Sequence, residues 1–247
     1  MCTVIVGFEP GARTPLVIAG VRDEILSRPW EPPAAHWPGF PGLVGGRDLS
    51  GGGTWLAVDP GAPRVAALLN GRGREAPEDV RRSRGDLPLR AVTAGELPEG
   101  DLSCYDPFHL IVADPGGVRL WSWDGERVSD GKLPAGVHVV VNSGWERGRD
   151  DPRVAWFRPR FASAAWPSAR DGESAWAPWR ELASGAGLDT SDPRALVVRS
   201  ELPDGSVWGT SSITLVALGE DALRYDFCPD PADPSSWYGV LRSEVPG

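Results

Sequence analysis

The sequence opens with MCTVIVGFEPGARTPLVIAGVRDE, residues 1–24, which contains two β-branched, apolar runs. Thr3–Phe8 is the first run and Pro15–Gly20 is the second, and a Pro-Gly turn signal separates them. This pattern predicts a buried N-terminal hairpin. The end of the second strand of a hairpin lies beside the start of the first, so the residues that follow Gly20 are expected next to Cys2.

Cys2 is the most reactive side chain of this stretch. An initiator Met is removed when the next side chain is small, so we expect the mature protein to begin at Cys2, with an α-amine and a thiol on one residue. A free Cys titrates near ~8.5 and an α-amine near ~7.7 to 8.0, so the amine can accept the thiol proton at neutral pH without a histidine. The residues alone equally allow an ordinary buried hairpin that contains a cysteine by chance.

Short motifs follow one another in a specific order along nearly the whole chain. They are Ala19-Gly-Val-Arg-Asp-Glu24 with Ser27-Arg28-Pro29, Gly51-Gly-Gly-Thr-Trp-Leu56, Asn70, Ser83-Arg84-Gly85, Tyr105-Asp-Pro-Phe-His-Leu110, Asn142-Ser143 and Trp208-Gly-Thr-Ser-Ser212. This series resembles the NRDE family, also called the transport-and-Golgi-organisation-2 family. Two positions depart from the family pattern: Val21 replaces the Asn that names the family, and no Arg stands between Thr210 and Ser211.

The apolar periodicity predicts an α+β fold made from one domain, residues 1–247. Many short strands occur in both ends of the chain, and residues 153–165 and 176–185 have helical periodicity. We also expect a short helix over Glu78–Arg84, an irregular loop over Trp30–Ser50 and a strand over Ala195–Val198. Stacked antiparallel sheets flanked by helices follow from this arrangement. The family resemblance implies the same architecture, the α/β/β/α four-layer sandwich of N-terminal-nucleophile hydrolases.

Charge and cysteine content exclude several classes of function. The 25 Lys and Arg against 34 Asp and Glu give a formal charge of -9, which repels a nucleic-acid backbone. Three cysteines without CxxC spacing support neither a disulfide framework nor a cysteine zinc site. No run is apolar enough for a membrane span, and no secretory signal is evident, so we expect a cytoplasmic protein.

One basic cluster departs from the acidic average. It consists of Arg72, Arg74, Arg81, Arg82 and Arg84. A solvated loop with a short helix explains such a cluster, and so does a docking patch for an anionic group.

The resemblance implies an enzyme that hydrolyses an amide or a thioester of a small amphipathic substrate. Cys2 would attack the carbonyl carbon, Arg22 would hold the thiolate, and Asp23 would fix the amine. Asn70 and Asn142 would stabilise the oxyanion or orient the amine. The resemblance further implies ligand contacts from five residues, namely Thr54, Trp55, Trp145, Thr210 and Ser211.

A binding protein on the same fold is the alternative. The family has been linked to haem trafficking and to lipid or acyl-coenzyme A metabolism, so a carrier would hold haem or an acyl lipid in the same cleft. Trp30, Trp37, Trp55 and Trp145 would then stack on the ligand. His36 or Cys2 would reach a haem iron. Catalysis itself requires no cofactor or metal.

Overall fold

The β-branched runs at the start of the chain lie in the middle of the first of two sheets. The computed structural model describes residues 2–145, 150–170, 172–219 and 221–244. In spatial order the strands of the first sheet are β10 (Gly136–Val141), β1 (Thr3–Phe8), β2 (Leu16–Ile25), β12 (Val207–Leu218), β13 (Ala222–Cys228) and β14 (Tyr238–Glu244), and β11 (Arg199–Glu201) also pairs with β12. Every pairing is antiparallel.

The second sheet is a meander, in which each strand pairs with the next one along the chain. Its strands are β3 (Trp30–Ala34), β4 (Val44–Asp48), β5 (Leu56–Asp59), β6 (Arg64–Asn70), β7 (Phe108–Asp114), β8 (Gly117–Trp123) and β9 (Val128–Lys132). These pairings are also antiparallel, as expected where short turns connect neighbouring strands.

Helices cover the outer face of each sheet. Helix α1 (Leu87–Ala94) packs on the second sheet, and α2 (Pro152–Ser163) and α3 (Ala177–Ala183) pack on the first. A third apolar layer fills the space between the sheets. The order of layers is therefore helix, sheet, sheet, helix, and the predicted four-layer sandwich is confirmed.

Strand alternation defines two faces of the first sheet. Val4 and Val6 of β1 belong to the core between the sheets, which we call the inner face. Ile5 packs against α2 and α3, on what we call the helix-covered face. Val140 of β10 and Ile18 of β2 share the inner face, so even-numbered residues of these three strands point between the sheets.

Three sequence-based predictions of local structure need correction. The predicted loop over Trp30–Ser50 contains β3 and β4, which pair with each other despite their prolines. No helix forms over Glu78–Arg84; the helix begins at Leu87, where Pro88 occupies the first turn and needs no N–H partner. Ala195–Val198 is irregular, and the strand follows it as β11.

Glycines of the GGTW motif let two backbones touch. A Cβ on Gly53 would lie 2.1 Å from the carbonyl carbon of Gly85, and Thr54 N–H donates to the Gly85 carbonyl oxygen over 2.8 Å. Any side chain at Gly53 would therefore push apart the GGTW and SRG segments. In the described residues, no helix has the length and apolar character that crossing a bilayer requires.

Candidate active site

A row of polar side chains crosses the inner face at one end of the first sheet. Thr3 pairs with Val141 of β10 and Val21 of β2, so Cys2, one residue earlier, lies opposite Asn142 and Arg22. Arg22 in turn pairs with Ser212 of β12. The order across the four strands is therefore Asn142, Cys2, Arg22, Ser212.

Cys2 is half-buried at the centre of this row. Its Sγ donates to the backbone oxygen of Asp23 over 3.7 Å. The cavity beside it has a volume of about 10 Å³, which is about the space that one water molecule needs. Burial raises the pKa of the Cys2 thiol above its usual range, and the charge of Asp23 raises it further. The thiol is therefore neutral near pH 7 and needs a base to become a nucleophile.

Arg22 lines the same cavity, and its guanidinium is fixed on three sides. Nη1 donates to Ser211 Oγ over 2.8 Å, and Nη2 donates to Asp48 Oδ2 over 3.0 Å. The guanidinium carbon lies 4.4 Å from the centre of the Trp55 ring. Because Asp48 balances its charge, Arg22 offers Cys2 less electrostatic support than an unpaired guanidinium would.

Asp48 joins the two sheets at this end of the sandwich. It lies at the end of β4 and accepts from Arg28 Nε over 2.6 Å as well as from Arg22. Burial alone would raise the pKa of Asp48, but the hydrogen bonds from Arg28 and from Gly51 N–H outweigh burial and lower it. Asp48 is therefore ionised near neutral pH and holds Arg22 in place.

Asp23 points to the opposite, helix-covered face. Its Oδ1 accepts from Thr210 Oγ1 over 2.7 Å, and its Oδ2 lies 3.4 Å from Arg153 Nη1. Arg153 also donates to Thr3 Oγ1 over 2.8 Å. Burial raises the pKa of the Asp23 carboxyl, while the charge of Arg153 and the Thr210 hydrogen bond act in the opposite direction.

Arg153 is a site residue that the sequence reasoning missed. It lies in the first turn of α2, where the carboxylate of Asp151 accepts its backbone N–H over 2.9 Å. The only signal in the sequence is the Asp-Pro start of a helix, which fixes the backbone but does not indicate that the side chain turns inward.

A β-bulge aligns β12 with the site. The register between β2 and β12 shifts between Thr210 and Ser212, which leaves Ser211 as the extra residue. Thr210 thereby reaches Asp23 on one face, and Ser211 reaches Arg22. Both hydroxyls, predicted as ligand contacts, hold site residues in place.

Asn142 ends β10 beside Cys2. Within the described part of the chain, its buried Oδ1 has no hydrogen-bond partner. Its backbone oxygen lies 3.2 Å from His109 Nε2, and the other ring nitrogen lies 2.7 Å from Ser122 Oγ. A carbonyl oxygen only accepts, so His109 donates from Nε2 and accepts the Ser122 hydroxyl at Nδ1. His109 therefore fixes the backbone of Asn142 and leaves its amide available.

Two predicted site residues lie elsewhere. Asn70 is exposed at the end of β6, and alternation places it with Ala66 and Leu68 on the face that packs towards α1. Thr54 is buried, and its hydroxyl bonds to the backbone of Leu56 over 2.8 Å. The fold therefore brings Asn142, but not Asn70, beside Cys2.

The four tryptophans proposed for ligand stacking do not form a single cluster. Trp30 and Trp55 meet edge to face at 6.1 Å, whereas Trp145 packs 5.3 Å from His138 on the other side of Cys2. Trp37 donates to the Gly52 oxygen.

Both ring nitrogens of His36, which was proposed to reach a haem iron, have partners within the protein. Its Nε2 lies 2.7 Å from the Pro32 oxygen, and its Nδ1 lies 3.5 Å from Glu31. Among the described residues, no three His, Cys, Asp or Glu side chains are grouped to hold a metal.

Comparison with solved structures identifies the class of fold. An N-acylethanolamine-hydrolysing acid amidase orthologue from Caenorhabditis elegans superposes with a TM-score of 0.51 at 15% identity, covering 97% of this chain and 100% of that one. A C2A mutant of the conjugated bile acid hydrolase from Clostridium perfringens gives a TM-score of 0.49 at 10% identity, covering 99% of this chain and 98% of that one. Together with the order of layers described above, the first of these similarities shows that the chain has the sandwich fold of N-terminal-nucleophile hydrolases.

The family profile described as Transport and Golgi organisation 2 matches residues 1–181. The chain belongs to this family. Curated protein sequences give no match. The matched range includes the row from Cys2 to Asn142 and also Arg153, whereas Thr210 and Ser211 lie beyond it.

Proposed function

We propose that this protein is an N-terminal-nucleophile hydrolase in which Cys2 attacks an amide or thioester carbonyl of a small amphipathic substrate. One observation carries the proposal: Cys2 lies between Asn142 and Arg22 on the inner face, with the buried Asp23 directly behind it. The mechanism requires that Cys2 is the first residue, because only a free α-amine is basic near pH 7.

In the first step, the Cys2 amine takes the thiol proton while Sγ bonds to the carbonyl carbon. The carbonyl oxygen becomes an oxyanion, to which the Asn142 amide donates. Collapse of this intermediate breaks the bond to the leaving amine or thiol. The protonated Cys2 amine gives its proton to that leaving group. Water then adds to the acyl-thioester, Sγ leaves as the thiol, and a carboxylic acid is released.

The raised pKa of Cys2 supports the need for an adjacent base. Asp23 would orient the amine from behind the sheet, and Arg153 and Thr210 keep its carboxylate in position. Arg22 is held by Asp48, so its role is to shape the pocket and polarise the substrate, with less direct stabilisation of a thiolate.

The test is turnover of amide and thioester panels by wild type, Cys2→Ala and a variant with one unprocessed residue before Cys2. We expect both changes to lower kcat/KM by about 10³-fold or more, since each removes the nucleophile or its base. Cys104→Ala is the matched control, because this half-buried thiol bonds to Asp101 away from the row. Turnover that survives both changes would eliminate the mechanism, and intact-mass spectrometry verifies each N-terminus.

A carrier of haem or an acyl lipid is the second candidate. The pairing of Arg22 with Asp48 favours it, because that pair weakens the support for a thiolate. A carrier needs the shape of the cleft and not the amine, so binding should survive Cys2→Ala and the extension within about tenfold, about 1.4 kcal/mol. Tight binding by all variants without turnover by any of them would select the carrier.

A further inference from the structure

A second, much larger cavity lies beside the Asn142 end of the row. It has a volume of about 770 Å³ and lies between the hairpin of β8 and β9 and the turn that follows β10. His109, Leu120 and Ser122 form part of its wall, and so do Leu133 and Trp145. The turn residues Ser143 and Gly144 also line it, immediately after Asn142.

The two cavities differ in what they can hold. The space at Cys2 takes about one water, or a reacting carbonyl oxygen, whereas a volume of about 300 to 1,000 Å³ is typical of small-molecule pockets. Strands are spaced about 4.8 Å apart, so Cys2 lies about one strand spacing from Asn142 and the cavity edge. The larger cavity is therefore within reach of the body of a substrate whose carbonyl lies at Cys2.

The charges at the mouth of this cavity are unequal. Asp130 pairs with Arg119, and the Asp124 carboxylate accepts the N–H groups of Arg127 and Glu126, which lower its pKa. Among the described residues, the guanidiniums of Arg72 and Arg127 form no close ion pair, although the charge of Arg127 also acts on Asp124. With Arg119 counted beside the lining residues, this mouth has three guanidiniums against two carboxylates, on a protein whose formal charge is -9.

The basic cluster noted in the sequence is divided by the fold. Arg74 pairs with Glu126, Arg81 pairs with Glu75 and Asp106, and Arg84 donates to the Pro107 oxygen. Arg72 alone of the five lines the cavity.

We propose that this cavity binds the body of an anionic amphipathic substrate, with the apolar part against Leu120, Leu133 and Trp145 and the terminal anion at Arg72 and Arg127. This inference rests on the proposed function for the carbonyl at Cys2, but binding itself requires no turnover. Apolar walls with a few polar groups at one end are the usual construction of such sites.

The experiment is a fluorescence titration of Cys2→Ala protein with 11-(dansylamino)undecanoic acid and with its neutral primary amide. We expect the acid to bind about tenfold more tightly than the amide, and this preference to shrink at high salt because the arginines are exposed. Arg72→Gln with Arg127→Gln should abolish the preference without changing the affinity for the amide. Ser129→Trp, at an exposed cavity position, should weaken binding of both probes by about tenfold or more.

The control is Arg74→Gln with Arg13→Gln, which changes the net charge equally. Arg74 does not line the cavity, and Arg13 is exposed in the turn at the far end of β1. Equal affinity for the two probes, failure of both to bind, or an equal effect of the two double variants would each overturn the proposal. All titrations use the Cys2→Ala background, which has no nucleophilic thiol at this position. The results are therefore independent of whether the wild type turns over any substrate.

Discussion

Two buried carboxylates lie on the helix-covered face of the first sheet, and they are bound differently. Asp226 of β13 accepts from Arg224 Nε and Nη2, over 3.1 and 2.7 Å, and from Arg180 Nη2 over 2.5 Å. Asp23 of β2 accepts from the Thr210 hydroxyl over 2.7 Å and has the Arg153 guanidinium at 3.4 Å. Arg224 therefore donates to Asp226 through two nitrogens at short range, whereas the Arg153 guanidinium lies further from Asp23, the carboxylate next to Cys2.

We interpret the Asp226 cluster as structural and Asp23 as part of the candidate active site. The Asp226 cluster is closed by the Trp176 ring, 4.5 Å from the Arg224 guanidinium carbon, and helps to dock α3. Asp23 lies directly behind Cys2 and can orient a group of that residue, whereas Asp226 lies away from Cys2 on β13. The following four substitutions test the contrast.

The largest effect is expected from Asp226→Asn. This substitution takes the Asp226 charge away from Arg224 and Arg180, and removing one partner of a buried ion pair typically costs about 3 to 5 kcal/mol. Chemical denaturation should show this loss in the free energy of unfolding, with unchanged kcat/KM for the molecules that remain folded. Asp192→Asn breaks an exposed pair with Arg194 and should leave the free energy of unfolding nearly unchanged. Equal losses of unfolding free energy in the two variants would contradict the structural role of the Asp226 cluster.

Asp23→Asn should instead mainly affect turnover. Burial already raises the pKa of this carboxyl, so the folded state disfavours its charge and loses less stability when the charge is removed. We expect kcat/KM to fall about 10²-fold, because a neutral amide orients the Cys2 amine poorly. Steady-state kinetics and denaturation on the same preparation separate the two effects. A loss of stability as large as that of Asp226→Asn would contradict the contrast.

Arg153→Gln should shift the pH dependence of the reaction. Burial raises the pKa of Asp23 and the charge of Arg153 lowers it, so removing Arg153 raises this pKa further. If the ionised carboxylate is required, the acid limb of the kcat/KM profile moves to higher pH, and the rate on that limb falls about tenfold. Arg158→Gln, in the same helix but bonded to the Val137 oxygen, should leave the profile in place.

Thr210→Val should have the smallest effect. It removes one hydrogen bond to Asp23, worth about 1 kcal/mol, so kcat/KM should fall about fivefold. Thr210→Ser keeps the hydroxyl and should restore most of the rate. If serine is no better than valine, the Thr210 hydroxyl does not position Asp23.

The sequence predicted the local part of the site more fully than the distant part. β-Branched periodicity and one turn are sufficient to place Arg22 and Asp23 beside Cys2, because a hairpin register follows from its turn. Arg153 reaches the same cluster through the packing of a helix on a sheet, which no local pattern encodes.

Asn70 illustrates the opposite case. Its position at a strand end is predictable, but its face depends on which alternating set of β6 residues is covered by α1. That helix was itself misplaced, because the sequence pattern predicted a helix over Glu78–Arg84, whereas α1 begins at Leu87 with Pro88 in its first turn.

The pairing of β2 with β12 has a consequence for synthesis of the protein. Arg22 and Ser211 are 189 residues apart in sequence, and yet their side chains bond. On the ribosome, the N-terminal hairpin emerges first and must wait for β12 before its open edge is covered. Such non-local pairing folds slowly and leaves strand edges exposed to other chains. The nascent chain should therefore depend on chaperones until its last fifth is translated, and C-terminal truncation should cause aggregation before it affects the chemistry of Cys2.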